Sequence, residues 1–111
     1  YARKWLHPVL DAFLRGLPHT YREVPATDGV QIAFRITGEA GGAWTLLREG
    51  GSWRLFEGAA TAPSARVALD QDAAWRLFCK QFARKDAEER AVVEGDRALA
   101  APFFSTLAVM A

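Results

Sequence analysis

At 111 residues, half of them hydrophobic and 24% charged, the chain is long enough to bury one core and too short for two, and its balance excludes intrinsic disorder. Fourteen Lys and Arg stand against thirteen Asp and Glu, so no nucleic acid and no membrane is expected as a partner, and any electrostatic role must be local. A lone cysteine, Cys79, rules out an internal disulfide and points to a reducing, cytoplasmic setting, and no apolar run approaches the length of a bilayer span.

The chain opens at Tyr1 without an initiator Met and reads like the inside of a linker, so it is expected to be a fragment of a longer protein. Leu6, Val9, Leu10, Phe13, Leu14 and Leu17 recur at three- and four-residue spacing, which predicts an amphipathic helix, with Asp11 and Arg15 as an i,i+4 pair on its other face. Pro8 is tolerated only in a first turn, so the helix should start near His7 or Pro8, and Pro18 should end it at Leu17. The period then changes to two. Val30, Ile32, Phe34 and Ile36 alternate with polar residues and predict a half-buried strand. Two short alternating runs, Trp44 to Glu49 and Trp53 to Glu57, flank Gly50 and Gly51 and predict a hairpin.

A loop containing Pro63 leads to a fourth strand over Ala65 to Leu69, after which Asp70 or Asp72 can cap a helix that buries Trp75, Phe78, Cys79 and Phe82. A charged connector, Lys85 to Arg90, precedes a fifth strand from Ala91 to Glu94. Gly95 and Asp96 turn the chain into a last helical stretch with Leu99, Phe103 and Leu107 on one face and a break at Pro102. This order predicts an α+β domain, a mainly antiparallel sheet of about five strands covered by helices on one face.

Catalytic constellations are sparse. His7 and His19 fall at opposite ends of the first predicted helix, with no carboxylate at a spacing that completes a metal site, and read as surface or helix-end residues. Cys79 lies on an apolar face and reads as a small hydrophobe. Gly95-Asp96 reads as a cap rather than a phosphate loop, because a carboxylate there would repel an anion. The tryptophans Trp44, Trp53 and Trp75, with Phe34, Phe78, Phe82, Phe103 and Phe104, read either as core or as the wall of an apolar cavity. Arg76, Lys80 and Arg84, spaced by four, share one helix face. With no acid expected to interleave with them, they are either a solvated face or the seat of an anionic partner.

The run from Trp75 to Arg84, the Val92 to Arg97 segment and the ending Leu107 to Ala111, with the opening Leu6 to Phe13 and the Gly41 to Trp44 stretch, resemble the C-terminal domain of the mycothiol-dependent maleylpyruvate isomerase-like proteins. The resemblance implies a sterol carrier protein-like fold and a missing N-terminal DinB-like helical bundle holding the metal. It implies that the chain is not catalytic alone but covers the active site of an isomerase or thiol transferase. A zinc-like divalent metal and mycothiol are implied for the full-length protein, and neither for this chain. Arg84 is then the expected catalytic residue, with Lys80 and Arg76 binding an acidic substrate or low-molecular-weight thiol. A homo-oligomer is compatible with this reading. The alternative is an independent carrier of a lipid or sterol-like ligand in an aromatic-lined cavity.

Overall fold

The computed structural model describes residues 2–78 and 89–105; the expectations for Cys79, Lys80, Phe82, Arg84 and Leu107 fall outside these. Helix α1 spans Ala2–Leu14 and α2 Leu17–Thr20. Strands β1 (Gln31–Thr37), β2 (Gly42–Glu49), β3 (Ser52–Glu57) and β4 (Ala65–Asp70) follow, then α3 (Gln71–Phe78) and β5 (Val92–Gly95). A one-turn α4 (Arg97–Ala100) continues into a 3₁₀ turn over Ala101–Ser105. No described helix is long and apolar enough to cross a membrane.

The five strands lie in the order β3-β2-β1-β4-β5. Three of the four pairings are antiparallel, and β1 with β4 is parallel. That parallel pairing is set by Gln31. Its backbone carbonyl accepts from the Ser64 N–H at 2.8 Å, and its side-chain Oε1 accepts from the N–H groups of Thr61 and Ala62. The connection after β3 is thereby pinned to the start of β1, so β4 must leave in the same direction. The β2–β3 hairpin turns on Gly50 and Gly51, both with positive φ, the geometry that a tight two-residue turn requires.

The predicted alternation holds in β1, where Ile32, Phe34 and Ile36 are buried and Arg35 and Thr37 are exposed. The buried side of the sheet carries Trp44, Leu46, Trp53, Val67 and Leu69, and the helices cover it with Leu6, Leu10, Leu14, Leu17 and Tyr21. Phe103 and Phe104 from the 3₁₀ turn complete the layer. Phe34 meets Phe103 at 5.1 Å between ring centroids, and Tyr21 stands edge-on to both Phe34 and Trp53. Phe34, Trp44, Trp53, Phe103 and Phe104 are therefore core, with Trp75 half-buried at its margin. Burial pushes the Tyr21 phenol upward in pKa, so it stays a donor, giving its proton to the Leu99 carbonyl at 2.6 Å.

Three expectations are corrected. Helix α1 begins at Ala2, so Pro8 sits inside it; the missing N–H costs one helical bond, and Leu6 in the core together with Trp5 against Trp75 holds the preceding turn in place. Leu17 does not leave helical geometry: α1 stops at Leu14, and Leu17 and Pro18 start α2, where proline is tolerated in the first turn. Of the two candidate caps, Asp70 caps α3 by accepting from the Ala73 N–H at 2.8 Å, while Asp72 lies within the helix. Asp96 caps α4 as expected, accepting from Ala98 and Leu99.

Candidate functional site

Helices α1 and α3 approach each other at one end of the sheet, and the loop between β1 and β2 is wedged beneath them. Ala40 in that loop is fully buried, and side chains from both helices satisfy its backbone. Its N–H donates to Gln71 Oε1 at 2.6 Å, and its carbonyl accepts from His7 Nδ1 at 3.0 Å. A carbonyl can only accept, so Nδ1 of His7 is the donor in this contact. Gly41 beside it is obligatory, because a Cβ there would overlap the Ile36 carbonyl oxygen. The loop is consequently a rigid spacer between the two helices.

His7 is thus neither a surface nor a helix-end residue. Its ring stacks on Trp44 at 5.8 Å and 23°, and Nε2 lies 3.8 Å from Glu57 at the end of β3. Trp44 in turn donates from Nε1 to Asp11 at 2.8 Å, and the other oxygen of Asp11 takes the expected i,i+4 contact from Arg15, also at 2.8 Å. His19 does sit at a helix end, exposed in α2.

Burial alone would raise the pKa of Asp11, but the hydrogen bonds from Arg15 and Trp44 outweigh it and hold the carboxyl below its ordinary value. Asp70 behaves alike, burial being overcome by the Ala73 N–H and by Arg90. A depressed folded-state pKa contributes stability that is complete above the unfolded value, about 3.9, and is lost as pH falls through the folded one. Asp11→Asn keeps an acceptor for Trp44 and removes only the charge. Its melting temperature should fall short of the wild type's at pH 6, and the gap should close towards pH 3 in parallel thermal melts; a gap independent of pH would remove the charge from the account.

The outward side of this region is a second apolar face on α1. Trp5, Pro8, Val9 and Ala12 recur at helical spacing away from the Leu6, Leu10 and Leu14 stripe, and half-buried Phe13 packs against the core at the border between the two faces. Pro8, Val9, Ala12 and Phe13 line an open groove of about 300 Å³. Trp5 is 56% exposed and stands edge-on to Trp75 of α3, with centroids 5.6 Å apart. Helical spacing alone places Trp5 on the same face as Pro8, Val9 and Ala12.

Next to Trp75, Arg76 is exposed and pairs with Asp72 at 2.9 Å. Arg90 reaches both Asp70 at 2.7 Å and Asp72 at 3.7 Å. The expectation that no acid interleaves with the basic stripe is therefore corrected at its first member. Asp72 stands four residues before Arg76, a spacing already legible as an ion pair. Lys80 and Arg84 lie outside the described residues. Among the described residues no group of three His, Cys, Asp or Glu side chains could hold a metal ion.

No family model matches the chain, and no curated protein is significantly similar to it. Solved structures are similar in shape. Sterol carrier protein 2 like 2 from Aedes aegypti superposes with a TM-score of 0.70 at 13% identity, covering 92% of this chain and 96% of that one. The apo form of sterol carrier protein 2 from Yarrowia lipolytica gives 0.60 at 15% identity over 89% and 86% of the two chains. A UbiJ-SCP2 ubiquinone synthesis protein gives 0.57 at 13% identity over 94% and 97%. With its five-stranded mixed sheet covered by helices on one face, the chain has the fold of the sterol carrier protein 2 domains.

Proposed function

We propose that this domain is the accessory half of a larger cytoplasmic, thiol- and metal-dependent protein of the maleylpyruvate isomerase-like kind. In this reading it docks through α1 and α3 on an upstream DinB-like helical domain. The observation that carries it is the outward apolar face of α1 with Trp5 exposed beside Trp75. An exposed tryptophan beside an apolar groove, on a helix whose opposite side already fills the core, is the kind of aromatic anchor that interfaces concentrate. The rigid Ala40 wedge supports the same reading, since it fixes the two helices as one surface. Arg76 borders that surface, and Lys80 and Arg84 follow it at helical spacing. They are the basic residues proposed to meet an acidic substrate or the thiol cofactor mycothiol in the cleft between the domains. The metal, bound in the other domain, would supply thiolate activation.

A second reading, an independent carrier of an apolar ligand, draws on the fold it shares with proteins named sterol carriers and on the apolar groove along α1. One variant separates the two. With the upstream domain of the same reading frame expressed separately, Trp5→Ser should weaken its binding to this chain about tenfold or more, as loss of an aromatic anchor does. Calorimetry reads the effect. If the chain instead binds a fluorescent fatty acid stoichiometrically and ignores the upstream domain, the carrier reading replaces the accessory one.

A further inference from the structure

We infer that two copies of the chain associate through the free edge of β3, pairing antiparallel about Leu55 so that the sheet of one continues into the other. Among the described residues the sheet ends in two edge strands, β3 and β5. The β5 edge is four residues long and ends in Gly95, at φ 80°, and the capping Asp96. The β3 edge runs six residues, Ser52–Glu57, with neither proline nor glycine inside it. Short strands, proline and charged side chains protect edges from pairing; β3 is neither short nor interrupted by proline, and its two charges are Arg54 and Glu57.

The hairpin decides which backbone groups are free. Its two-residue turn closes on the pair Glu49 and Ser52, which exchange hydrogen bonds, so Arg54 and Phe56 also bond inward to β2. The N–H and C=O groups of Trp53, Leu55 and Glu57 then point away from the sheet. Among the described residues no backbone hydrogen bond outside the ladder reaches them.

Residues directly opposite in an antiparallel pair share a face, which limits the registers about a two-fold axis. Centred on Leu55, the free groups of Trp53, Leu55 and Glu57 meet those of Glu57, Leu55 and Trp53 in the second copy. The half-buried Leu55 side chains meet across the axis. On the outer face Arg54 stands over Phe56 of the second copy, and symmetry makes this contact twice. Phe56 is 47% exposed, and among the described residues Arg54 makes one ion pair, an exposed contact with Glu49 at 3.7 Å. Such a pairing converts an exposed ring and an exposed guanidinium into cation–π partners. Shifting the register by two residues in one direction sets Arg54 against Arg54; in the other it sets Leu55 against Glu57. Of these three registers, the Leu55-centred one avoids both and sets Trp53 opposite Glu57.

Sedimentation velocity of the 111-residue chain from about 10 µM to about 1 mM, where so small an interface associates, should show a monomer–dimer equilibrium. Phe56→Lys, at an exposed position that leaves the fold intact by circular dichroism, brings like charges together and should weaken the dimer about tenfold or more. The double variant Arg54→Glu with Phe56→Lys should recover it, because the introduced carboxylate then faces the introduced ammonium. A chain monomeric over the whole range overturns the inference. So does a dimer insensitive to Phe56→Lys but abolished by Trp5→Ser, which would place association on α1.

Discussion

Trp44→Ala is expected to remove roughly 3–5 kcal/mol from the folding free energy, the range found when a large aromatic side chain is deleted from a core. Trp44 is 1% exposed, lies opposite Phe34 in β1, and carries the His7 ring on its face. Deletion leaves a cavity under α1 and also orphans Asp11, whose carboxylate loses the indole donor. A domain of this size is stable by only about 5–15 kcal/mol, so the variant should be partly unfolded at 37 °C. Trp44→Phe separates the two components: it keeps most of the ring volume and loses the charged hydrogen bond, for an expected cost of about 1–3 kcal/mol. Urea unfolding followed by circular dichroism, with the slope compared between variants, measures both. A Trp44→Ala cost below about 1.5 kcal/mol, with an unchanged slope, would mean that the layer between α1 and the sheet is not the packed core described above.

The same residue shows what could be read without coordinates. Trp44 belongs to an alternating run beside a double-glycine turn, and its strand and burial follow from local pattern. Its partner Asp11 does not, because 33 residues separate the two and nothing in either neighbourhood specifies the other. His7 is similar: the Ala40 carbonyl that fixes its ring is 33 residues away. The parallel β1–β4 pairing depends on Gln31 holding the Thr61–Ala62 backbone, again a long-range contact. Local rules also failed where packing overrode them, as at Pro8 inside α1. Two features of the candidate surface were locally legible and overlooked. The Asp72–Arg76 pair follows from a spacing of four, and the place of Trp5 beside Pro8, Val9 and Ala12 from helical spacing.

In the full-length protein, Arg84→Ala is expected to lower turnover of an acidic substrate by roughly two orders of magnitude, the scale for removing a donor that stabilises transition-state charge. The expectation rests on the proposed accessory role and on how charge is distributed along the stripe. Asp72 already engages Arg76 at 2.9 Å, which leaves Arg76 better suited to positioning than to catalysis. Lys80 has no acid three or four residues away on either side in the sequence, whereas Arg84 has Glu88 four residues on. Of these two, only a guanidinium offers the planar fork that matches a carboxylate. Arg84→Lys should therefore restore part of the activity and Lys80→Ala should mainly raise KM, since a point charge binds ground state and transition state alike. Stability of the isolated chain should stay within about 0.5 kcal/mol in each variant, as for surface substitutions generally. An Arg84→Ala enzyme with unchanged kcat and KM would reduce the stripe to a solvated face. The docking role of Trp5 would then stand or fall on its own measurement.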